Sequence, residues 1–140
     1  KQKFCIDVDY RYRNFSTVAS FYDDIIEKIK PEIIVGHCIG AYWALKMSLL
    51  HQIPCVIANP RLAPDFRDDY PSINETDLDH NVPQVAYLEL GDELIDMYAA
   101  QEILENYMLI QAVEGGHHRL LKPENINQLI EHLEQQYLYK

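Results

Sequence analysis

The segment Gly36-His37-Cys38-Ile39-Gly40 constrains this chain more than any other part of it. It stands between a short run rich in β-branched residues, Glu32 to Val35, and an apolar stretch from about Ile39 to His51 that suits a helix. A strand that turns directly into a helix through small residues forces the middle residue into strained backbone geometry and pushes its side chain outward, as in a nucleophile elbow. At the head of a helix, the Cys38 thiol meets unpaired N–H groups and the positive dipole end, which favour a thiolate; the Ile39 N–H is placed to receive an oxyanion. The competing reading is that Cys38 is a small buried hydrophobe, the role expected of Cys5 and Cys55 in their predicted strands.

The remaining pattern alternates short β-type runs with helical stretches, which predicts an α/β fold: a mostly parallel sheet with helices on both faces. Strands are expected over Phe4 to Val8, Glu32 to Val35, Cys55 to Ala58, Val85 to Leu90 and Met108 to Val113. Helices are expected over Ser16 to Ile29, Ile39 to His51, Met97 to Asn106 and a final segment that starts near Pro123. In the first helix, Val18, Phe21, Tyr22, Ile25, Ile26 and Ile29 form one apolar face, Lys28 and Lys30 sit near its end, and Pro31 stops it. In the last, Ile126, Leu129, Ile130, Leu133 and Tyr137 share a face. A long, acid-rich connection, residues 59–84, is expected to be a lid or substrate-side loop, because long loops inside a compact domain are commonly functional. The whole of residues 1–140 is read as one domain.

A nucleophile needs a base and an orienting acid, and on such a sheet they follow it in the order nucleophile, acid, histidine, on loops after later strands. Gly91-Asp92-Glu93-Leu94-Ile95-Asp96 follows the strand at 85–90, and Glu114-Gly115-Gly116-His117-His118 follows the strand at 108–113. Asp92 is the favoured acid, with Asp96 as its rival and Glu93 read as surface. His117 and His118 compete for the base, because adjacent side chains in an extended segment point in opposite directions. A metal is disfavoured for the pair, since no Cys or carboxylate stands at helical ligand spacing from them. His37, His51, His80 and His132 are read as bland, although His37 flanks the elbow.

Charge and cysteine usage narrow the partners. Twelve Lys and Arg against 22 Asp and Glu leave a net charge of −10, which repels phosphate backbones and anionic bilayers. Nucleic acid and membrane are therefore not expected partners, no apolar run is long enough to span a bilayer, and no cofactor motif is present. Three cysteines without a close pair argue against a disulfide framework and for a cytoplasmic setting.

Taken together, the elbow followed by Ala41 and Tyr42, Ile53-Pro54 leading to Asn59-Pro60, Gly91-Asp92-Glu93, and Glu114-Gly115-Gly116-His117-His118 resemble the small α/β-hydrolase esterases of the bacterial YqiA type, across nearly the whole chain. The resemblance implies a serine-esterase framework, puts Asp92 in the acid position, and lays the family's Gly-Gly-x-His pattern on Gly115, Gly116 and His118. His118 is thereby favoured as base.

Three departures accompany it. Cys38 stands where the family has Ser, a change that resembles the dienelactone hydrolases, which use Cys, His and Asp on this fold. The family's larger cap is reduced to the 59–84 loop, so a shallow pocket is expected. The family's first strand, whose His-Gly turn supplies a second oxyanion donor, has no counterpart before Phe4. The expectation is that residues lie upstream of Lys1 in the native protein, or that the strands at 4–8 and 32–35 close together around a half-built oxyanion site.

The function expected is hydrolysis of carboxylic esters or thioesters through Cys38, His118 and Asp92, with Ile39 and His37 at the oxyanion or substrate side and a small acyl ester or thioester as substrate. Arg61 and Arg67 are candidates to steer an anionic acyl group. The alternative is a non-catalytic binding or interaction protein on the same sheet.

Overall fold

The computed structural model describes residues 3–6 and 8–138. Four parallel strands, β1 (Ile34–His37), β2 (Cys55–Ala58), β3 (Gln84–Glu89) and β4 (Leu109–Val113), lie side by side in sequence order. The helices are α1 (Phe15–Ile29), α2 (Ile39–His51), the short α3 (Glu75–Leu78), α4 (Met97–Leu104) and α5 (Glu124–Leu133). Because all four strands point the same way, the loops that leave their C-terminal ends gather along one edge of the sheet, where α/β folds form their sites.

Strand periodicity divides the core. Cys55 and Ile57 pack on one face of the sheet with Ala41, Ala44 and Leu45 of α2 and with Met97, Ala100 and Leu104 of α4. Val56, Ala58, Val85 and Tyr87 turn to the other face, against Leu129 and Leu133 of α5. Helices thus cover both faces, as the alternating pattern predicts. The helix α2 is apolar over most of its surface because Ala41 to Leu45, Met47 and Ser48 are buried between the sheet and α1, while Leu50 near its end is exposed. Its outer side, with Tyr42, Trp43 and Met47, packs against Val18 and Ile26 of α1 and against Tyr70. Burial of each such large side chain contributes roughly 1.5–3 kcal/mol.

Helix ends follow local chemistry. Asn14 caps α1 by accepting the Thr17 N–H at 2.8 Å, and Lys30, in the left-handed region at φ 51°, ends it. Asp96, the rival acid, proves to be the cap of α4, where it accepts the Ala99 N–H at 3.1 Å.

Several expectations are corrected. The residues described between Phe4 and Val8 form no strand, and Asp7 lies outside the described residues. Phe4 and Ile6 are exposed, and Cys5, expected to be buried in that strand, is exposed too. A strand persists only where its backbone groups find a partner. Here the chain passes into a turn of 3-10 helix, Tyr10–Tyr12, capped by Asp9. None of the described residues between Phe4 and Val8 pairs with β1, so the alternative in which the strands at 4–8 and 32–35 close together is not seen among the described residues. β1 pairs with β2 and occupies the sheet edge among the described residues, with Val35 48% exposed. Phe21 and Tyr137, assigned to core faces by spacing, are exposed; Tyr137 lies past the end of α5, in a π-helical turn (Glu134–Leu138) whose wider pitch breaks the spacing.

The connection at 59–84 carries its own structure. Tyr70 and Leu78 are buried, and Asp77 meets Lys46 of α2 through both carboxylate oxygens, at 3.2 and 3.0 Å. Asn74 and Asp77 form a reciprocal capping box at the start of α3. The segment is packed onto α1 and α2, not draped over them.

Candidate active site

Cys38 is the residue between the last residue of β1 and the first of α2, and its backbone has φ 61° and ψ −116°. A non-glycine residue at positive φ is strained and persists only where its surroundings hold it. Its N–H donates to Ala58 O at 3.1 Å, continuing the sheet, while its carbonyl accepts from Ala41 N (3.1 Å), Tyr42 N (3.3 Å) and Arg61 N (3.1 Å). Gly36 makes the bend possible, since a methyl there would run into the Gly40 carbonyl. Ile39 opens α2, so its N–H has no partner inside the helix. Cys38 is partly exposed.

The acid and the imidazole come from the loops after β3 and β4. Asp92 Oδ2 lies 2.9 Å from His118 Nδ1, with the Asp92 side chain fully buried and that of His118 19% exposed. A carboxylate only accepts, so His118 Nδ1–H is the donor of this bond, and in the neutral ring Nε2 is then the acceptor. Asp92 Oδ1 accepts the N–H groups of Leu94 (2.8 Å) and Ile95 (2.9 Å), and Asn59 Nδ2 donates to Oδ2 at 2.9 Å. Burial works to raise the Asp92 pKa, but the donors from Asn59, His118, Leu94 and Ile95 outweigh it and hold the carboxyl below its ordinary value.

His37, the last residue of β1, joins the elbow to the histidine loop: its Nε2–H donates to the His118 carbonyl at 2.8 Å, and the two rings stand 5.3 Å apart. Burial lowers the His37 pKa, which the bond to the His118 carbonyl only partly offsets. Among the described residues no hydrogen bond joins the Cys38 thiol to the His118 ring. His117, the competing base, turns its ring to Glu93 at 3.3 Å and leaves its side chain 58% exposed.

Two residues that sequence reasoning missed hold this assembly. Asn59, at φ 40°, donates to Asp92 and to Glu89 O (3.1 Å) and accepts the Glu89 N–H (2.8 Å). Glu89 is buried and takes donors from Tyr87 Oη (2.6 Å), His117 N (3.2 Å), Leu121 N (2.9 Å) and Lys122 N (2.9 Å). It staples the histidine loop from beneath. Burial alone would raise its pKa, and these donors together bring it below the usual carboxylate range. Gly116, at φ 82°, passes so close that a side chain there would meet Glu89. An acid near the end of a strand otherwise apolar was the one available signal for Glu89; Asn59 carried its place after a strand and its part in the Asn59-Pro60 motif of the resemblance, neither of which gave it a partner.

An open cleft of about 570 Å³ reaches Cys38, with Val8, Tyr10, Ile39, Phe66 and Arg61 in its walls. The other cysteines are unsuited to chemistry here: burial pushes the Cys55 thiol up to about 12, and Cys5 lies apart on the N-terminal segment.

Comparisons with known proteins bear on the family and the fold. Residues 8–89 match the model of the family described as "Uncharacterised protein family (UPF0227)". Two members, UPF0227 protein Shewmr4_1727 of Shewanella sp. (strain MR-4) and UPF0227 protein Shewana3_2292 of Shewanella sp. (strain ANA-3), are each 26% identical, covering 81% of this chain and 77% of their own. Among solved structures, the fold is similar to that of MGS-MChE2, an α/β hydrolase from a lagoon-sediment metagenome (TM-score 0.68, 15% identity, 91% of this chain and 73% of that one). It is also similar to a Paleococcus ferrophilus monoacylglycerol lipase (TM-score 0.66, 13% identity, 89% and 76%). The fold is that of an α/β hydrolase, and the chain belongs to the UPF0227 family, the YqiA-like group its motifs resemble.

Proposed function

We propose that this protein hydrolyses carboxylic esters or thioesters through an acyl-enzyme on Cys38. The observation that carries the reading is the Asp92–His118 hydrogen bond at 2.9 Å, on loops beside a cysteine held at positive φ on a strand-to-helix turn. No helix of the described residues is long and apolar enough to cross a membrane, and the cleft at Cys38 is of a size for a small molecule.

In the proposed cycle, His118 Nε2 takes the Cys38 proton as sulfur attacks the carbonyl carbon. A C–S bond forms, and the carbonyl electron pair moves onto oxygen, facing the Ile39 N–H. Collapse breaks the bond to the alcohol or thiol, which leaves with the proton from His118. Water then attacks the acyl group, giving its proton to His118. The second collapse releases the carboxylic acid and returns that proton to sulfur. Asp92 keeps the imidazole in the Nδ1–H form and stabilises the imidazolium. His37 acts by holding the His118 backbone, and residues 59–84 supply the substrate-side wall. The cycle requires His118 Nε2 to reach Sγ in the substrate complex, where catalytic contacts tighten.

The test is incubation with p-nitrophenyl butyrate, read by nitrophenolate release and by intact mass with peptide mapping. A butyryl adduct on Cys38, absent in Cys38→Ala, supports the reading. No adduct and no release overturns it and leaves a binding protein on a hydrolase fold. In Cys38→Ser, faster turnover would mark an esterase frame slowed by its thiol.

A further inference from the structure

We propose that Arg61 makes the cleft selective for acyl groups that end in a carboxylate, that is, for monoesters or monothioesters of short dicarboxylic acids. This names the substrate class of the site above and rests on the acyl-transfer reading.

Of the two arginines that the sequence offered, tertiary structure brings only one to the cleft. Arg67 is turned away, with Nε bonded to Asp69 Oδ1 at 2.8 Å, and Asp69 in turn accepts the Phe15 N–H at 2.7 Å. Arg61 shares the cleft wall with Cys38, and its backbone N–H donates to the Cys38 carbonyl at 3.1 Å, so the Arg61 main chain is tied to the elbow and its side chain starts from there.

The charged groups around it differ in how firmly they are engaged. Arg11 and Asp9, also in the cleft, neutralise one another through three contacts of 3.0–3.1 Å. Among the described residues the Arg61 guanidinium makes one contact, from Nη1 to Asp65 Oδ1 at 3.2 Å, and the Asp65 side chain is 86% exposed while that of Arg61 is 28% exposed. A single long contact to a solvated carboxylate is weak and easily exchanged. A substrate carboxylate resting between Phe66 and Ile39 would be less hydrated than Asp65 and could accept two parallel N–H groups from the fork. The walls from Val8, Tyr10, Ile39 and Phe66 are apolar, which suits the methylene chain between the two carboxyl groups.

Two measurements on the whole chain test this. The first compares mono-p-nitrophenyl glutarate with p-nitrophenyl butyrate by the rate of Cys38 acylation. We expect about ten-fold faster acylation by the glutarate ester, a ratio that falls toward one in Arg61→Gln and rises in Asp65→Asn, where the competing carboxylate is removed. The second uses maleimides bearing a carboxylate on one to three methylenes against N-ethylmaleimide, with the exposed Cys5 as internal reference. The anionic-to-neutral rate ratio at Cys38 should exceed that at Cys5 by about ten-fold for one member of the series and lose that excess in Arg61→Gln. Acylation by butyrate with no gain for glutarate overturns this inference and leaves acyl transfer standing. If neither ester acylates Cys38, both readings fall as enzymology; equal ratios at Cys38 and Cys5 would then dispose of the anion site as well.

Discussion

Asn59 donates its side-chain N–H to Asp92 Oδ2 at 2.9 Å, the same oxygen that faces His118 Nδ1 at 2.9 Å. Together with the Leu94 and Ile95 N–H groups on Oδ1, this amide fixes the angle of the carboxylate, and the carboxylate orients the ring. The same side chain joins the ends of β2 and β3 through its two bonds to the Glu89 backbone, so positioning of the site and closure of the sheet depend on one residue.

Asn59→Ala removes three hydrogen bonds and leaves the Glu89 N–H buried without a partner. The expected loss is about 2–3 kcal/mol, read as a fall in the urea midpoint with an unchanged slope. Asp92 loses a donor, so its pKa rises and the acid limb of any pH–rate profile for Cys38 acylation moves to higher pH. A variant that only loosened the fold would lower stability without moving that limb.

Glu89 and Asp92 both have pKa values depressed by folding. Their stabilisation is present above the unfolded values of about 4 and is lost as pH falls through the lower folded values. Wild-type stability should therefore decline below about pH 4. In Glu89→Gln the decline should be shallower, and the protein less stable at pH 7 by about 2–4 kcal/mol, because an amide NH2 would confront N–H donors. Thermal unfolding of both proteins between pH 3 and pH 7, at about one-unit steps, checks this; parallel curves would refute the assignment.

The two glycines of the elbow should respond in opposite ways. Gly36→Ala drives a methyl into the Gly40 backbone and should cost about 3 kcal/mol or prevent folding. At Gly40 an added methyl meets nothing within 4 Å, and the residue lies in the first turn of α2, so Gly40→Ala should be neutral or stabilising by up to about 1 kcal/mol. Urea denaturation distinguishes them.

Lys46 and Asp77 pin the 59–84 segment to α2, with side chains 15% and 8% exposed. Lys46→Ala leaves Asp77 buried with only its capping-box donor, at a cost of about 2–3 kcal/mol. Hydrogen exchange should quicken in residues 70–80 before it quickens in the strands; a uniform increase would mean that the segment and the sheet open together.

Much of the fold was legible because its elements are set by local patterns. Cys55 to Ala58 and Ile39 to His51 have the predicted bounds, and Lys30 and Pro31 end α1 as backbone sterics require. The strand expected at 4–8 failed because a short alternating run carries no information about its partner. The turn glycines and the order Cys38, Asp92, His118 were readable as a sequence, yet the reading left Asp96 and His117 as rivals. Asp96 is taken up locally, as the cap of α4 three residues before Ala99, whereas His117 turns to Glu93, 24 residues away along the chain.

The sequence by itself determined the alternation of strands and helices, the bend at Cys38 and the candidates around it, since periodicity, glycine sterics and helix ends act over a few residues. Tertiary structure alone decided that Asn59 and Glu89 hold the acid and the histidine loop, that Arg61 and not Arg67 shares a wall with the thiol, and that Val35 lies at a sheet edge. Those outcomes depend on hydrogen bonds and packing between loops that leave different strands. Such contacts form only when the parallel sheet brings its C-terminal ends together.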